Sequence, residues 1–520
     1  MCRVDRDNGS GGKRNILKVK RKTWLGLGIF FLITILPVVA ILTGLFNAST
    51  AEFSFDFLHL LRNSLLIALL ATALAAIIGI PYAFFVGKTS LPHKGLWLSL
   101  ALLPLLIPGY IKAVGWITIF GKGGYLTRLM GVHIDMFNIF GASFILGTTY
   151  FPIIILFLTF PLTFLDPGLE EAGFIHSKIS KVMRKITFPM SLNSLLVGIL
   201  IVFTLSFTNF NVPVHLGVNV YPVEIFSYFE AFYDHNYVFM SSLPIIAVLT
   251  PLLLLIGFYS AKIPKITVFD KQYSYQITLR VLALPIALMI FILTISFVIP
   301  VISLLIKTGA VTTFFETFSL AGRAIFNSIL FAFIGTAIVL LIAFFIATVL
   351  LWSENFMYLL IPLLLPGTLM AIGLIRIMNR PWLQPIYTSA AMLILIYVIR
   401  FLPIAVLGIV LFIKKINPSI IESACLVQKP AAVSTKIILP LIKKGALLVG
   451  FVVFAFSLVE LDATALLTSP GNETIPLRIF NLMHYGADSV VASLCVIIVL
   501  IVLALLFTVN LVRKYAFSRI

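Results

Sequence analysis

Of 520 residues, 61% are hydrophobic and only 11% charged, a balance far from that of soluble globular domains and one that marks an integral membrane protein. The chain carries 37 Lys and Arg against 19 Asp and Glu, a net charge of +18. These cations are scattered through short loops with no basic domain, so the charge reports membrane topology and excludes nucleic acid as a partner.

The chain begins with a basic tail, 1–22, expected to lie in the cytoplasm. The first apolar run extends from Trp24 to Phe46. It is longer than the apolar core of a signal peptide and is followed by no small-residue cleavage site, so it reads as an uncleaved span. Residues 23–51, 63–87, 136–165, 186–223, 235–261, 281–306, 324–353 and 489–512 contain no Asp, Glu, Lys or Arg, and weaker apolar segments lie near 95–120, 357–378, 386–413 and 445–468. A helix needs about 20 apolar residues to cross ~30 Å of hydrocarbon. These twelve segments therefore predict an all-α membrane protein of about twelve transmembrane helices. Barrel strands are excluded because the runs do not alternate.

Retained cytoplasmic loops are enriched in cations. With both termini inside, the tail and segments 88–94, 178–185, 262–280, 414–444 and 513–519 hold 27 of the 37 Lys and Arg. Cys2, Cys425 and Cys495 are scattered, with no Cys-x-x-Cys, and His59, His93, His133, His215, His235 and His484 show no ligand spacing. No disulfide framework or resident metal is expected. "VGKTS" at 86–90 contains Gly-Lys-Thr, but position 82 is Tyr where a phosphate loop needs glycine. No cofactor is expected on this chain.

An offset of 251 aligns Thr149–Asn211 with Arg400–Asp462 without a gap, bringing Pro152 onto Pro403, Glu171 onto Glu422 and Pro189 onto Pro440. Upstream, 107–117 resembles 365–375 at offset 258, and 62–79 resembles 326–343 at offset 264. The chain reads as two homologous halves, 23–260 and 281–520, joined by a basic cytoplasmic linker, 261–280. Six spans in each half give both halves the same sense in the membrane, related by an axis along its normal.

The clearest shared feature is a charged interlude, "LEEAGFIHSKISKVMRKITFP" at 169–189 and "IIESACLVQKPAAVSTKIILP" at 420–440. Each has an acidic helix-forming start, a hinge, a basic second segment and a proline where the next helix begins. Here the sequence resembles the permease subunits of binding-protein-dependent ABC importers, whose signature is a cytoplasmic Glu-Ala-Ala, then Gly, then Ile-x-Leu-Pro loop. It is most similar to the fused two-half permeases of iron(III), thiamine and related cation or phosphonate systems, also through "ELDATALLTSPGNETIPLRIFNLMHYGA" at 460–487 and "TNFNVPVHLG" and "YPVEIF" in the first half. The motif glycine is replaced by His176 and Val427, and the Glu-to-Pro spacing is 18 in both halves.

The resemblance implies a type I importer permease fold in a bacterial inner membrane, and a docking role for Glu170, Glu171, Ala172, Gly173, His176 and Pro189 and for Glu422, Ser423, Ala424, Val427 and Pro440. It also implies as partners a separate ATPase subunit, in two copies, which uses the ATP, and a periplasmic or lipid-anchored solute-binding protein. Iron(III) leads as solute.

Ionisable groups inside the bundle are functional candidates by default. Arg400 stands within the tenth span, and Glu460 and Asp462 follow the eleventh, aligned with Thr149, Asn209 and Asn211 of the first half. They are read either as interfacial caps or as lining the pathway, with Arg400 paired to an acid. Pro108-Gly109 and Pro366-Gly367 are expected to open or kink their spans. A secondary transporter of two six-span halves is the alternative, but it calls for a charged signature after the second span, where 88–94 reads only "KTSLPHK". A membrane-embedded enzyme would need clustered catalytic groups at one depth.

Overall fold

The computed structural model describes residues 27–41, 56–121, 124–131, 134–163, 165–263, 275, 279–350, 357–483 and 485–517. The whole of the basic tail, 1–22, and most of the linker lie outside these. Every element among the described residues is a helix, apart from one isolated bridge between Thr89 and Tyr275. Among the described residues, nine helices are long and apolar enough to cross a membrane. They include Asp56–Lys88, Ile139–Thr163, His235–Ala261, Thr312–Leu350, Ala391–Ile413 and Asp488–Phe517.

Two of the twelve apolar stretches are broken helices. Lys94–Leu106 and Gly109–Phe120 meet at a sharp bend at Pro108. Met357–Leu364, a 3-10 segment, and Gly367–Met378 meet at Pro366. Both prolines hold extended backbone, which starts the second arm but cannot continue the first.

Three long spans pass through a π-helical turn shortly before a proline: Met183–Thr187 before Pro189, Thr294–Val298 before Pro300, and Val433–Ile438 before Pro440. A proline inside a helix leaves a carbonyl one turn back without its amide donor, and a wider turn lets the chain stay helical past it. The loop prolines thus begin their spans as expected, but through a π-turn instead of a break.

The chain packs as two compact units, one of 1–49, 318–481 and 500–520 and the other of 50–317 and 482–499. The sequence repeat has its boundary at 260–281, whereas compact packing cuts across it. Each unit takes the first helix of the other half. In one, Gly115 lies against the Pro300 backbone and Ser303 Oγ donates to Gly115 O at 2.9 Å. In the other, Gly373 lies against the Pro37 backbone of the Leu27–Ile41 helix. Gly115 and Gly373 are repeat equivalents at offset 258. Any side chain at either would collide with a main chain, so glycine sets the close approach.

In the unit containing 50–317, Ile67, Ala113, Trp116, Ile145, Val212 and Val220 share one buried cluster. That cluster joins the broken span to the segment after Phe207, which supplies the first half's site residues.

Candidate coupling loops and intramembrane charge sites

Each loop begins with a ten-residue helix, Pro167–His176 or Pro418–Val427. The caps are equivalent: Asp166 Oδ1 accepts from Gly168 N at 2.9 Å, Asn417 Oδ1 from Ser419 N at 3.1 Å, and proline opens the helix after each. The corners at Ser177 and Gln428 are extended, with φ of −149° and −123°. No left-handed residue is needed there, which accounts for His176 and Val427 in place of the motif glycine.

Glu171, Ala172, His176 and Pro189 are exposed, as are Glu422, Ser423, Val427 and Pro440, while Ala424 is half-buried. Gly173 faces Val182 and Ile186 of the second segment. Glu170 is different, being fully buried. Its Oε2 lies 2.6 Å from Lys88 Nζ and its Oε1 accepts from Thr187 Oγ1 at 2.7 Å. The lysine of "VGKTS" is thus half of an ion pair at the end of a span.

In the second half Arg400, Glu460 and Asp462 come together. Arg400 Nη1 donates to Glu460 Oε1 at 2.9 Å and Nη2 to Asp462 Oδ2 at 2.7 Å, with the arginine side chain only 15% exposed. Glu460 Oε1 also accepts from Ala463 N at 2.9 Å, capping the turn that follows the span. The two sequence readings meet here, since Glu460 is a cap and a partner of Arg400 at once. The guanidinium lies over Gly367, where a methyl group would overlap Arg400 and Asp462.

The first half repeats the cap without the charges. Asn209 Oδ1 accepts from Val212 N at 2.9 Å, and its Nδ2 donates to Tyr150 Oη at 3.1 Å. Asn211 opens the short Asn211–His215 helix, and its carbonyl lies 2.7 Å from His215 Nδ1.

Sequence reasoning missed Lys112, which is buried in the Gly109–Phe120 arm. Its ammonium donates to Pro104 O at 2.5 Å, Thr149 Oγ1 at 3.0 Å and Thr148 O at 3.5 Å. Pro104 O is the carbonyl that residue 108 would serve in an unbroken helix, and residue 108 is proline. Lys112 therefore caps the negative end of the first arm from the second. Thr149 is the equivalent of Arg400. Each half thus places a cation at the break, Lys112 from the broken span itself and Arg400 from the neighbouring Ala391–Ile413 helix.

A second missed pair is Asn63-Ser64 with its repeat Asn327-Ser328. Asn63 Nδ2 donates to Asn219 O at 3.1 Å, and Ser64 Oγ accepts from Tyr221 N at 3.1 Å. Asn327 Nδ2 donates to Gly471 O at 3.1 Å, and Ser328 Oγ accepts from Ile475 N at 2.7 Å. Both pairs tie the extended segment after the site to the body of a long helix, Asp56–Lys88 or Thr312–Leu350.

No family model matches the sequence. Over 229 residues the chain is 27% identical to a protein of Haloferax volcanii described as a probable molybdenum ABC transporter permease, covering 41% of this chain and 82% of that one. Over 168 residues it is 22% identical to the ferric transport system permease protein FbpB of Actinobacillus pleuropneumoniae, covering 31% of this chain and 24% of that one. The chain thus spans most of the first relative and about a quarter of the second. It is an all-α multi-pass membrane protein that resembles ABC-transporter permeases.

Proposed function

We propose that this chain is the permease of an ATP-driven importer, forming the route for a solute delivered by a binding protein, with hydrolysis on a separate ATPase subunit present in two copies. The observation that carries this reading is the pair of equivalent loops, each a capped helix with an exposed glutamate, Glu171 or Glu422, joined through a π-turn to a long span. Such a loop can pass a rigid-body movement of a docked subunit into the bundle. Iron(III) is the leading solute and molybdenum the other that the relatives suggest. Asn209, Asn211, Arg400, Glu460 and Asp462 are assigned to the pathway walls of their own halves.

The docking role is tested by Glu171→Lys with Glu422→Lys. Each substitution puts a cation in the first half of a short helix, unfavourable by about 0.3–1 kcal/mol before any contact is lost. Membrane levels should stay normal while the ATPase co-purifies poorly. Normal co-purification and transport in the double variant would remove the docking role.

With both termini in the cytoplasm of a bacterial cell, a cytoplasm-only reporter fused after Lys185, Tyr273 or Lys444 should be active, and one fused after Asn219 or Asn472 silent. Activity from the Asn219 fusion would overturn this orientation.

A further inference from the structure

We propose that the first charged loop carries a binding site for an anionic phospholipid, with an acyl chain in a cleft beside the π-turn and the headgroup phosphate on Arg184. The proposal holds whether or not the chain is an importer.

Three membrane-crossing helices, Asp56–Lys88, Ile139–Thr163 and the span that runs from Met183 to Phe207, meet around a cleft of about 360 Å³. Ile80 and Phe84 line it from the last turns of the first helix, Leu158 and Leu162 from those of the second, and Met183 and Phe188 from the start of the third. Thr187 and Ser191 also border it, but their hydroxyls are engaged elsewhere: Thr187 Oγ1 donates to Glu170 at 2.7 Å, and Ser191 Oγ to the carbonyls of Thr187 and Phe188 at 2.9 and 3.0 Å. The walls are therefore hydrocarbon. The cleft lies where the Met183–Thr187 π-turn makes the helix wider than an α-helix.

Position in the bilayer narrows what can enter. All three helices are apolar along their length and meet cations at this end, Lys88 on the first and Lys181, Arg184 and Lys185 on the third, so the cleft sits where hydrocarbon gives way to headgroups. On the same helices the side chains of Ile77, Phe160, Phe188 and Leu192 are exposed. Apolar walls hold water poorly, and an acyl chain from the surrounding bilayer can fill them.

The rim supplies the charge complementarity. Residues 178–188 contain Lys178, Lys181, Arg184 and Lys185 and no acid. All four cations are exposed, and Arg184 itself borders the cleft. Among the described residues Arg184 forms no ion pair, so its guanidinium can grip a phosphate through two parallel N–H donors. Of the two glutamates on the loop helix, Glu170 is neutralised by Lys88 and only Glu171 is exposed. A headgroup with no net charge leaves these cations unmatched, whereas an anionic one fits them.

Native mass spectrometry of the full chain in detergent, titrated with phosphatidylglycerol or phosphatidylcholine, tests the site. Phosphatidylglycerol should bind at lower concentration. Arg184→Gln should weaken it about fivefold, the scale of one cation near an anionic lipid surface. Lys436→Gln, at an exposed lysine of the second loop, removes the same charge and should have no effect. Ile80→Trp fills the cleft from one wall and should weaken both lipids. Inorganic phosphate should not compete, because without an acyl chain it gains nothing from the cleft. Equal affinity for the two lipids, or equal losses in Arg184→Gln and Lys436→Gln, would overturn the proposal and leave only a general attraction to basic loops. Displacement by inorganic phosphate would overturn it in favour of a free anion, and undiminished lipid binding by Ile80→Trp with a normal unfolding midpoint would empty the cleft of its role. The headgroup, charge and phosphate comparisons stand even if Ile80→Trp fails to fold.

Discussion

Arg400→Leu is expected to be the most damaging single substitution at the charged sites. It leaves Glu460 and Asp462, each side chain 6% exposed, side by side without their cation. Removing one partner from a buried ion pair costs about 3–5 kcal/mol because the remaining charge is uncompensated, although the intact pair adds little over an apolar replacement. That asymmetry predicts the rescue. Arg400→Leu with Glu460→Gln and Asp462→Asn should recover most of the loss, because no charge is stranded and a Gln oxygen can still accept from Ala463 N. The first half already works this way, with Asn209 capping Val212. Unfolding midpoints of the purified protein measure the effect, and wild-type stability of Arg400→Leu would show that the acids lie in water.

Lys112→Met is the second large effect. Methionine is what the second half carries at the aligned position, Met370, so size and helix preference are matched. The loss is of a donor: Pro104 O and Thr149 lose their partner, and a buried acceptor left unpaired costs about 1–3 kcal/mol. The bend at Pro108 should then loosen. Proteolysis or hydrogen exchange at 104–112 should rise while the second half is unaffected. An unchanged first arm would mean that Pro108 alone holds the turn.

Nine of the twelve expected spans appear as long apolar helices among the described residues, and they were legible because hydrocarbon leaves a helix-forming chain no other way to satisfy its backbone, with uncharged runs marking where that applies. The loops were legible because Glu171 and Glu422, and Pro189 and Pro440, recur at one offset. Arg400 with Glu460 or Asp462 could be anticipated because these are charges where the aligned half is neutral. Lys112 gave the same signal, a charge aligned with the neutral Met370, but no charged partner to read with it. It has no charged equivalent, and its partners are two carbonyls and a threonine hydroxyl, which carry no signature in sequence. The burial of Glu170 was hidden for another reason: on a helix, adjacent residues face different ways, and only the exposed Glu171 has an acidic repeat partner. Exchange of the first helices is likewise invisible to periodicity, although Gly115 and Gly373 sit at matching repeat positions. The Asn-Ser dipeptide at 63–64 and 327–328 stood in the aligned blocks and was a signal available to be read.

The most direct test of the account is uptake by proteoliposomes containing this chain together with whatever ATPase co-purifies from its native membrane, loaded with ATP inside and supplied outside with iron(III) or molybdenum on the matching binding protein. The account predicts metal accumulation, measured by mass spectrometry, that requires ATP and the binding protein together and is lost in Glu171→Lys with Glu422→Lys. Accumulation driven by an ion gradient in liposomes holding the permease alone would contradict it and make the chain a secondary transporter.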